Sequence, residues 1–382
     1  MVFISYPTLY KGINVEQSLA ISRQHLSPMH CAVEASENNN NEATLMALMA
    51  RTAALTNYLE LCTQLGVNPQ PLLSEFALST PMLKSPELRI PMTVVAMLLE
   101  ATAKASSCET FGLRMAETRQ LSNFGAISLL LTHQPTLRDA LNTIGQYRHL
   151  LNESLAMDIT ETDKIVIIRE EIIVDPSTPK RQSIELAIGV LHRLCGALLG
   201  KSWRPLSVSF THAAPKDLNV NRRVFGCNVE FNEQFNGIVC LASDLNATNP
   251  TADPVMASYA REFLEAHSGA SKGSTLNEVR QAIYLLLPMD RATIRQVAQS
   301  LGMNVRTLQR RLEESGASFS ELHEQVRQDL LLRYMENPRY SLAQVAGLLG
   351  YSSPSSFTRW FTAQFGIAPA TWRRQHLNND EL

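Results

Sequence analysis

Thr293-Ile-Arg-Gln-Val-Ala-Gln-Ser-Leu-Gly302 returns 48 positions later as Ser341-Leu-Ala-Gln-Val-Ala-Gly-Leu-Leu-Gly350. In each copy a hydroxyl residue stands three positions before a Gln. This is the pattern of a capping box, in which the hydroxyl accepts from the third helical amide and the Gln side chain reaches back to the cap. Each copy closes on Gly, which leaves a helix through the left-handed region at least cost. The sequence therefore predicts two short helices with marked starts and stops. Val297 and Leu301 lie four apart, as do Val345 and Leu349, and they share a face with the downstream Leu308 and Phe357. Each helix thus seals a small core against the segment that follows it.

Those following segments are also alike. Arg306-Thr-Leu-Gln-Arg-Arg-Leu312 and Ser355-Ser-Phe-Thr-Arg-Trp-Phe361 each place apolar residues on one helical face and Arg on the other. Ser353-Pro354 adds a start signal, because Pro at the first helical position gives up no hydrogen bond. Between the two copies, Ser318 to Glu336 opens with Ser-x-x-Glu, ends before Asn337-Pro338, and repeats Leu322, Val326, Leu330 and Tyr334 on one face. It reads as a single helix, a strut roughly 28 Å long at 1.5 Å per residue. Successive major-groove faces on one side of B-DNA lie ~34 Å apart. The pattern implies two helix-turn-helix units, 293–312 and 341–361, placed in adjacent grooves of double-stranded promoter DNA.

From about Thr275 to Arg374 the chain resembles the AraC/XylS family of bacterial transcription regulators. The resemblance is carried by the Val-Ala-x-x-Leu-Gly run ending at Gly302, by Leu308-Gln-Arg-Arg-Leu312, by Ala343-Gln-Val-Ala-Gly-Leu-Leu-Gly-Tyr351, by Phe357-Thr-Arg-Trp-Phe361, and by Phe365-Gly-Ile-Ala-Pro-Ala-Thr-Trp-Arg-Arg374. The family's tail usually has Tyr-Arg where this chain has Trp372-Arg373, a change that keeps an aromatic ring for packing. The resemblance implies an activator that touches RNA polymerase, with Arg306, Gln309 and Arg310 as base or phosphate contacts. Position on the helix agrees. Leu308 and Leu312 face inward, which leaves Arg306, Thr307, Gln309 and Arg310 for the groove, where Arg pairs with guanine and Gln with adenine. In the second unit Phe357 and Phe361 face inward and Ser355, Ser356 and Arg359 face out. Short hydroxyls read bases weakly, so the second unit is expected to position more than it selects.

Charge is divided accordingly. Residues 273–376 hold 12 Arg, no Lys and 8 acids, whereas residues 1–272 hold 22 basic and 26 acidic side chains. An excess of four positive charges gives moderate nonspecific affinity, so groove readout or a second subunit must supply the rest. No run of eighteen apolar residues occurs, and the start of the chain lacks the basic and long apolar stretches of a signal peptide, so a cytoplasmic protein without a membrane span is expected. The cysteines Cys31, Cys62, Cys108, Cys195, Cys227 and Cys240 show no Cys-x-x-Cys spacing. They suit a reducing compartment and argue against a zinc site or disulfide framework. No Walker loop, dinucleotide fingerprint or His-Glu-x-x-His is present, and Gly269-Ala-Ser-Lys-Gly273 fits a nucleophile elbow in letters only, since no apolar strand precedes Ser271. No catalytic residue, metal or cofactor is expected. The alternatives are a regulator that needs no ligand and an alkyl-transfer enzyme fused to a DNA-binding module, for which Cys195, beside His192 and Arg193, is the cysteine to examine.

The first two-thirds of the chain mix helices and strands. Helices are expected over Thr44–Leu65, Pro91–Lys104, Phe124–Leu131, Thr136–Leu151, Arg181–Leu199 and Lys216–Phe225, and strands over Leu155–Ile159, Lys164–Val174, Ser207–Thr211 and Gly237–Leu241. About Ala50 to Val255 resembles the arabinose-binding-like effector domain of one branch of the family, through Phe111-Gly-Leu-Arg-Met-Ala-Glu117, Pro135-Thr-Leu-Arg-Asp-Ala-Leu141, Phe210-Thr-His-Ala-Ala-Pro215 and Arg223-Val-Phe-Gly-Cys-Asn-Val-Glu-Phe231. That resemblance implies an unidentified small-molecule effector, not arabinose in particular. Arg114, Arg138, Tyr147, Arg148, His149 and His212 are polar residues on or beside apolar segments, as an effector pocket requires. The expected architecture is an α+β N-terminal sensor domain followed by an all-α DNA-binding domain with two helix-turn-helix units. Its parts are a flexible lead-in (1–42), an effector-binding and dimerisation domain (43–264), a linker (265–274), the DNA-binding domain (275–376) and a tail (377–382). A homodimer is expected, since it pairs two readers on repeated half-sites.

Overall fold

The structure, a computed structural model, describes residues 48–267 and 274–377. The expected lead-in, Cys31, Ser271, most of the linker and most of the tail lie outside the described residues. The helix expected from Thr44 is replaced, from residue 49, by a strand, β1 (Met49–Arg51), paired antiparallel with β2 (Arg89–Pro91). A 3-10 turn at Thr52–Leu55 follows, and Asn57 takes a left-handed φ of 65°, so helix α1 begins only at Tyr58 and runs to Gln64. Asn tolerates that conformation better than most residues, and it separates two segments whose apolar spacing reads as one helix.

Helices α2 (Met92–Ala105), α3 (Phe111–Glu117), α4 (Ile127–Thr132) and α5 (Leu137–Leu151) precede strands β3 (Leu155–Glu161) and β4 (Ile165–Ile172). Then come α6 (Arg181–Leu199), β5 (Ser207–Ser209), α7 (Asn219–Phe225), β6 (Asn228–Glu230), β7 (Gly237–Leu241) and α8 (Pro254–His267). The last five strands form one sheet in the order β3-β4-β7-β5-β6, antiparallel except for the β5–β6 pair. This is the α+β domain expected as the sensor. β6, too short and polar to be recognised in the sequence, is the added edge strand.

Among the described residues α6 is long and apolar enough to cross a membrane by length and composition, and most of it is buried inside the protein. It packs on α2, α3 and β4. Its crossing with α3 is close: a Cβ on Gly112 would lie 2.0 Å from the Gln182 carbonyl oxygen, and one on Gly189 would lie 2.5 Å from the Ala116 Cβ. The same Gln182 locks the crossing, accepting from the Gly112 amide at 2.9 Å and donating to the Glu109 carbonyl at 2.9 Å.

The C-terminal part is helical throughout: α9 (Thr275–Leu286), α10 (Ile294–Ser300), α11 (Val305–Glu314), α12 (Phe319–Met335), α13 (Leu342–Leu348), α14 (Pro354–Phe365) and α15 (Pro369–Leu377). The strut expected over Ser318–Glu336 is α12, opened by the Ser318–Glu321 capping box. It packs against α9 and α13, and α9 also lies on β3 of the sensor. In consequence the apolar core of the helical part takes in Ala156 and Ile173 from the sensor sheet together with Val279, Ile283, Leu330 and Tyr334.

The Gly112 contact yields a test. Gly112→Ala forces a side-chain carbon into backbone, a case of overpacking that cannot be relieved by a rotamer change. A loss of about 3 kcal/mol of unfolding free energy is expected, read from urea titration of the full chain. A loss below about 1 kcal/mol, the lower end of overpacking costs, would show that the crossing yields.

Candidate nucleic-acid interface

The α10–α11 pair is built as its sequence implies. Thr293 accepts from the Gln296 amide while the Gln296 side chain accepts from the Thr293 amide, both at 3.3 Å. Gly302, at φ +64°, turns the chain out of α10. Asn304 then caps α11, its side-chain oxygen accepting from the Thr307 amide at 2.8 Å. Leu308 and Leu312 are buried, and Arg306, Gln309 and Arg310 are exposed, with Thr307 half-buried beside them. Arg310 Nε lies 3.7 Å from Glu314 Oε1 on the open surface, a pair that costs little to exchange for a phosphate or base.

The second pair follows the same plan with tighter fastening. Ser341 and Gln344 form the capping box of α13, Gly350 leaves it at φ +72°, and Ser353 caps α14 ahead of Pro354. Phe357 and Phe361 are buried; Ser355 and Arg359 are exposed. Ser356 differs from Ser355, because its hydroxyl sits 2.9 Å from that of Ser353 and is engaged in the cap. Two bonds tie this pair to the strut: Trp360 Nε1 donates to Glu324 Oε1 at 2.8 Å and Arg327 Nε donates to the Leu349 carbonyl at 2.9 Å. The Arg327 guanidinium also covers the Tyr351 ring, 4.4 Å from its centroid. At the tail, Trp372 is buried and stacks on His376 at 4.0 Å. Arg373 donates to the carbonyls of Tyr334, Met335 and Tyr340, closing the open end of α12.

Sequence reasoning missed Asn304, Glu324, Arg327 and Arg373. The signal for Asn304 was present, an Asn immediately before the helical run. The other three act through long side chains toward residues 22 to 39 positions away, which no local pattern encodes.

The six polar residues singled out in the sensor do not gather at one place. Arg138 spans the surface from α5 to Glu161 of β3, 2.8 Å away, and to Asn246. Arg148 turns to α9, donating to Gln281 at 3.1 Å, with Glu278 at 3.9 Å. The His149 carbonyl accepts from Arg89 at 2.8 Å. His212 lies among Phe210 and Phe231 with its Nε2 3.5 Å from Glu185 Oε1, and burial pushes its pKa down to about 4. The Tyr147 hydroxyl, the Arg114 Nε and the His212 Nε2 are buried and lack hydrogen-bond partners among the described residues. Cys195 is fully buried, and burial raises its thiol well above the ordinary value, so it is not the activated thiolate that alkyl transfer requires.

Residues 66–249 match the family described as the arabinose-binding domain of AraC transcription regulators, N-terminal, and residues 297–375 match the helix-turn-helix domain family. The chain belongs to the AraC family of transcription regulators. Like its relatives, this AraC-family protein is a DNA-binding transcriptional regulator. It is 28% identical over 327 residues to the HTH-type transcriptional regulator VirS of Mycobacterium tuberculosis, an alignment covering 85% of this chain and 96% of VirS. It is 23% identical to the ornithine utilization regulator of Pseudomonas aeruginosa, over 82% of this chain and 93% of that protein. Among solved structures, the transcriptional regulator CdpR of Pseudomonas aeruginosa aligns over 82% of this chain and 98% of its own at 20% identity, with a TM-score of 0.40.

The sensor interior of this AraC-family regulator holds two carboxyls in abnormal states. Burial pushes Glu170 up to about 8, and burial pushes Glu185 up to about 7 despite the neighbouring Arg181. Between the ordinary value near 4.5 and these raised ones, the folded chain binds more protons than the unfolded chain, so stability falls as pH rises through that window. The melting midpoint of the full chain should drop between pH 5 and pH 8, and Glu170→Gln should flatten the drop. An unchanged slope in the variant would mean that Glu170 is charged at neutral pH.

Proposed function

We propose that this chain is a transcriptional activator in which a sensor domain, 43–264, responds to a small molecule and governs two helix-turn-helix units, 293–312 and 341–361. A linker, 265–274, joins the sensor to the DNA-binding domain, 275–376. The reading rests on one observation above the others: two capped helix pairs of the same design each turn an Arg-bearing face to solvent, the first packed on α9 and the second on α12, and α9 and α12 pack on each other. Arg306, Gln309 and Arg310 make the base-reading contacts, with Thr307 beside them. Arg359 and Ser355 hold the second unit on the backbone, and Ser356 contributes its capped helix end. Bidentate Arg and Gln contacts are each worth about 1 to 3 kcal/mol of discrimination, which gives the first unit the larger share of sequence choice.

The effector reading is supported by buried polar atoms without hydrogen-bond partners among the described residues, Arg114 Nε, the Tyr147 hydroxyl and His212 Nε2, which stand at separate places and any one of which a complementary ligand group would satisfy. Arg138, Arg148 and His149 are occupied by protein contacts and take second place. A regulator linked to ornithine utilization among its relatives is consistent with a metabolite as effector. The protein acts in the cytoplasm, as a homodimer, with RNA polymerase as its further partner, and it has no catalytic function. The exposed Val255, Met256 and Tyr259 on α8 support pairing with a second copy, because α8 is the last sensor element before the reader.

The decisive measurement is operator binding. With the operator identified by genome-wide mapping of bound sites, Arg310→Ala should weaken binding by about 1 to 3 kcal/mol and relax base preference at one position. Wild-type affinity and preference in that variant would remove the first recognition helix from the interface.

A further inference from the structure

Adjacent carboxylates on β4 leave the strand on opposite faces. Glu170 shares its face with Val166, Ile168 and Ile172, all buried in the sensor core. Glu171 shares the other face with Ile173 and stands opposite Ala156 in the ladder, and both of those residues are buried in the core of the DNA-binding domain. One strand therefore forms a wall of both domains.

Glu171, only 5% exposed, is where the two domains are tied by charge. Arg333 Nη1 on the strut helix donates to Glu171 Oε2 at 2.7 Å, and Asn236 Nδ2 donates to the same oxygen at 3.1 Å. Lys180 Nζ lies 3.4 Å from Glu171 Oε1, donates to the Ile172 carbonyl at 2.7 Å, and stands over the Tyr284 ring at 5.4 Å. Burial alone would raise this carboxyl, but Lys180 and Arg333 together outweigh it and hold it below its ordinary value, so it stays charged. Breaking one partner of such a group leaves a buried charge uncompensated, which makes the contact close to all-or-none. Other polar contacts also cross the boundary: Arg148 Nε donates to Gln281 Oε1 at 3.1 Å with Glu278 3.9 Å away, Gln281 Nε2 donates to the Glu153 carbonyl at 2.5 Å, and the exposed Arg339 Nη1 donates to the Phe231 carbonyl at 3.3 Å. Glu171 differs from them in being a carboxylate buried between two cations from different elements.

We propose that Glu171 is an interdomain latch through which the sensor sheet sets the orientation of the strut helix, and with it of both recognition helices. Its regulatory meaning rests on the DNA-reading function proposed above; the latch itself does not. Arg333 belongs to α12, the helix to which Glu324 and Arg327 fasten the second helix pair, and α12 packs on α9, which carries the first pair, so a shift at Glu171 is passed to the second pair directly and to the first through α9. From the other side, Glu170 Oε2 has no hydrogen-bond partner among the described residues, so a change in the sensor interior reaches β4 one residue from the latch. A cavity of about 60 Å³ beside the latch, lined by Arg169, Glu170, Glu171, Asn236, Tyr284 and Arg333, leaves these side chains room to rearrange. A two-state contact of this kind, biased from one domain and read by the other, is what coupling between sites requires.

The test uses the full chain with Glu171→Gln, Arg333→Gln and the double variant. Hydrogen exchange of β4 and of the last turns of α12 should become at least tenfold faster in each single variant, and operator Kd should shift at least fivefold. The double variant should be no worse than the worse single one. Exchange at wild-type rates in both single variants overturns the latch. Faster exchange with unchanged operator Kd reduces the contact to a structural one and overturns its regulatory role. Should Glu171→Gln fail to fold, Glu171→Asp keeps the charge but withdraws it by one methylene, and wild-type exchange in that variant overturns the latch equally. Failure of the Arg310→Ala prediction would leave the exchange result standing, so the two proposals fall separately.

Discussion

Helix α12 is buried on more than one side, and that constraint organises the rest of the molecule. Its apolar row of Leu322, Val326, Leu330 and Tyr334 closes the cores of the helical part, while Glu324 and Arg327 hold the second helix pair and Arg333 reaches the sensor. A helix loaded in this way cannot tilt for one neighbour without disturbing the others. Interiors packed at this density transmit small displacements instead of absorbing them, because few voids are available to take up the change. The exposed Arg-bearing faces of α11 and α14 are held at a separation that neither helix pair fixes by itself.

The helical part was nearly transparent in the sequence because its determinants are local. Three capping boxes, at Thr293, Ser318 and Ser341, and the left-handed glycines Gly302 and Gly350 that close the first helix of each pair operate within about one turn of chain, and each is present as its letters imply. The sensor was less legible. β1 is held by its ladder with β2, 40 residues away in the sequence, and its start reads as helix because Ala and Leu dominate the segment. The polar residues chosen for an effector pocket were scattered by the fold for the same reason. Whether Arg148 lines a pocket or turns to Gln281 depends on where α9 docks, which no spacing rule expresses.

What the sequence concealed most fully was the pair Glu170-Glu171. Two consecutive acids in a strand of Ile and Val carry no sign of burial, since charged residues are rarely buried without a partner. Both are buried, and for different reasons. Glu171 has two cations and an amide, so its charge is retained; Glu170 has none of these, and burial favours its neutral form. The strict alternation of a β-strand is what gives neighbouring residues of one type such different fates.

The sharing of Ala156 and Ile173 with the helical core bears on how this protein can be dissected. An excised fragment beginning near Ser274 would expose to water the flank of α9 that β3 shields, together with the part of the apolar core that Ala156 and Ile173 complete. Such a piece would tend to self-associate or to adhere to other hydrophobic matter. Apparent gains or losses of DNA affinity in truncated material would then report the uncovered flank as much as relief from the sensor.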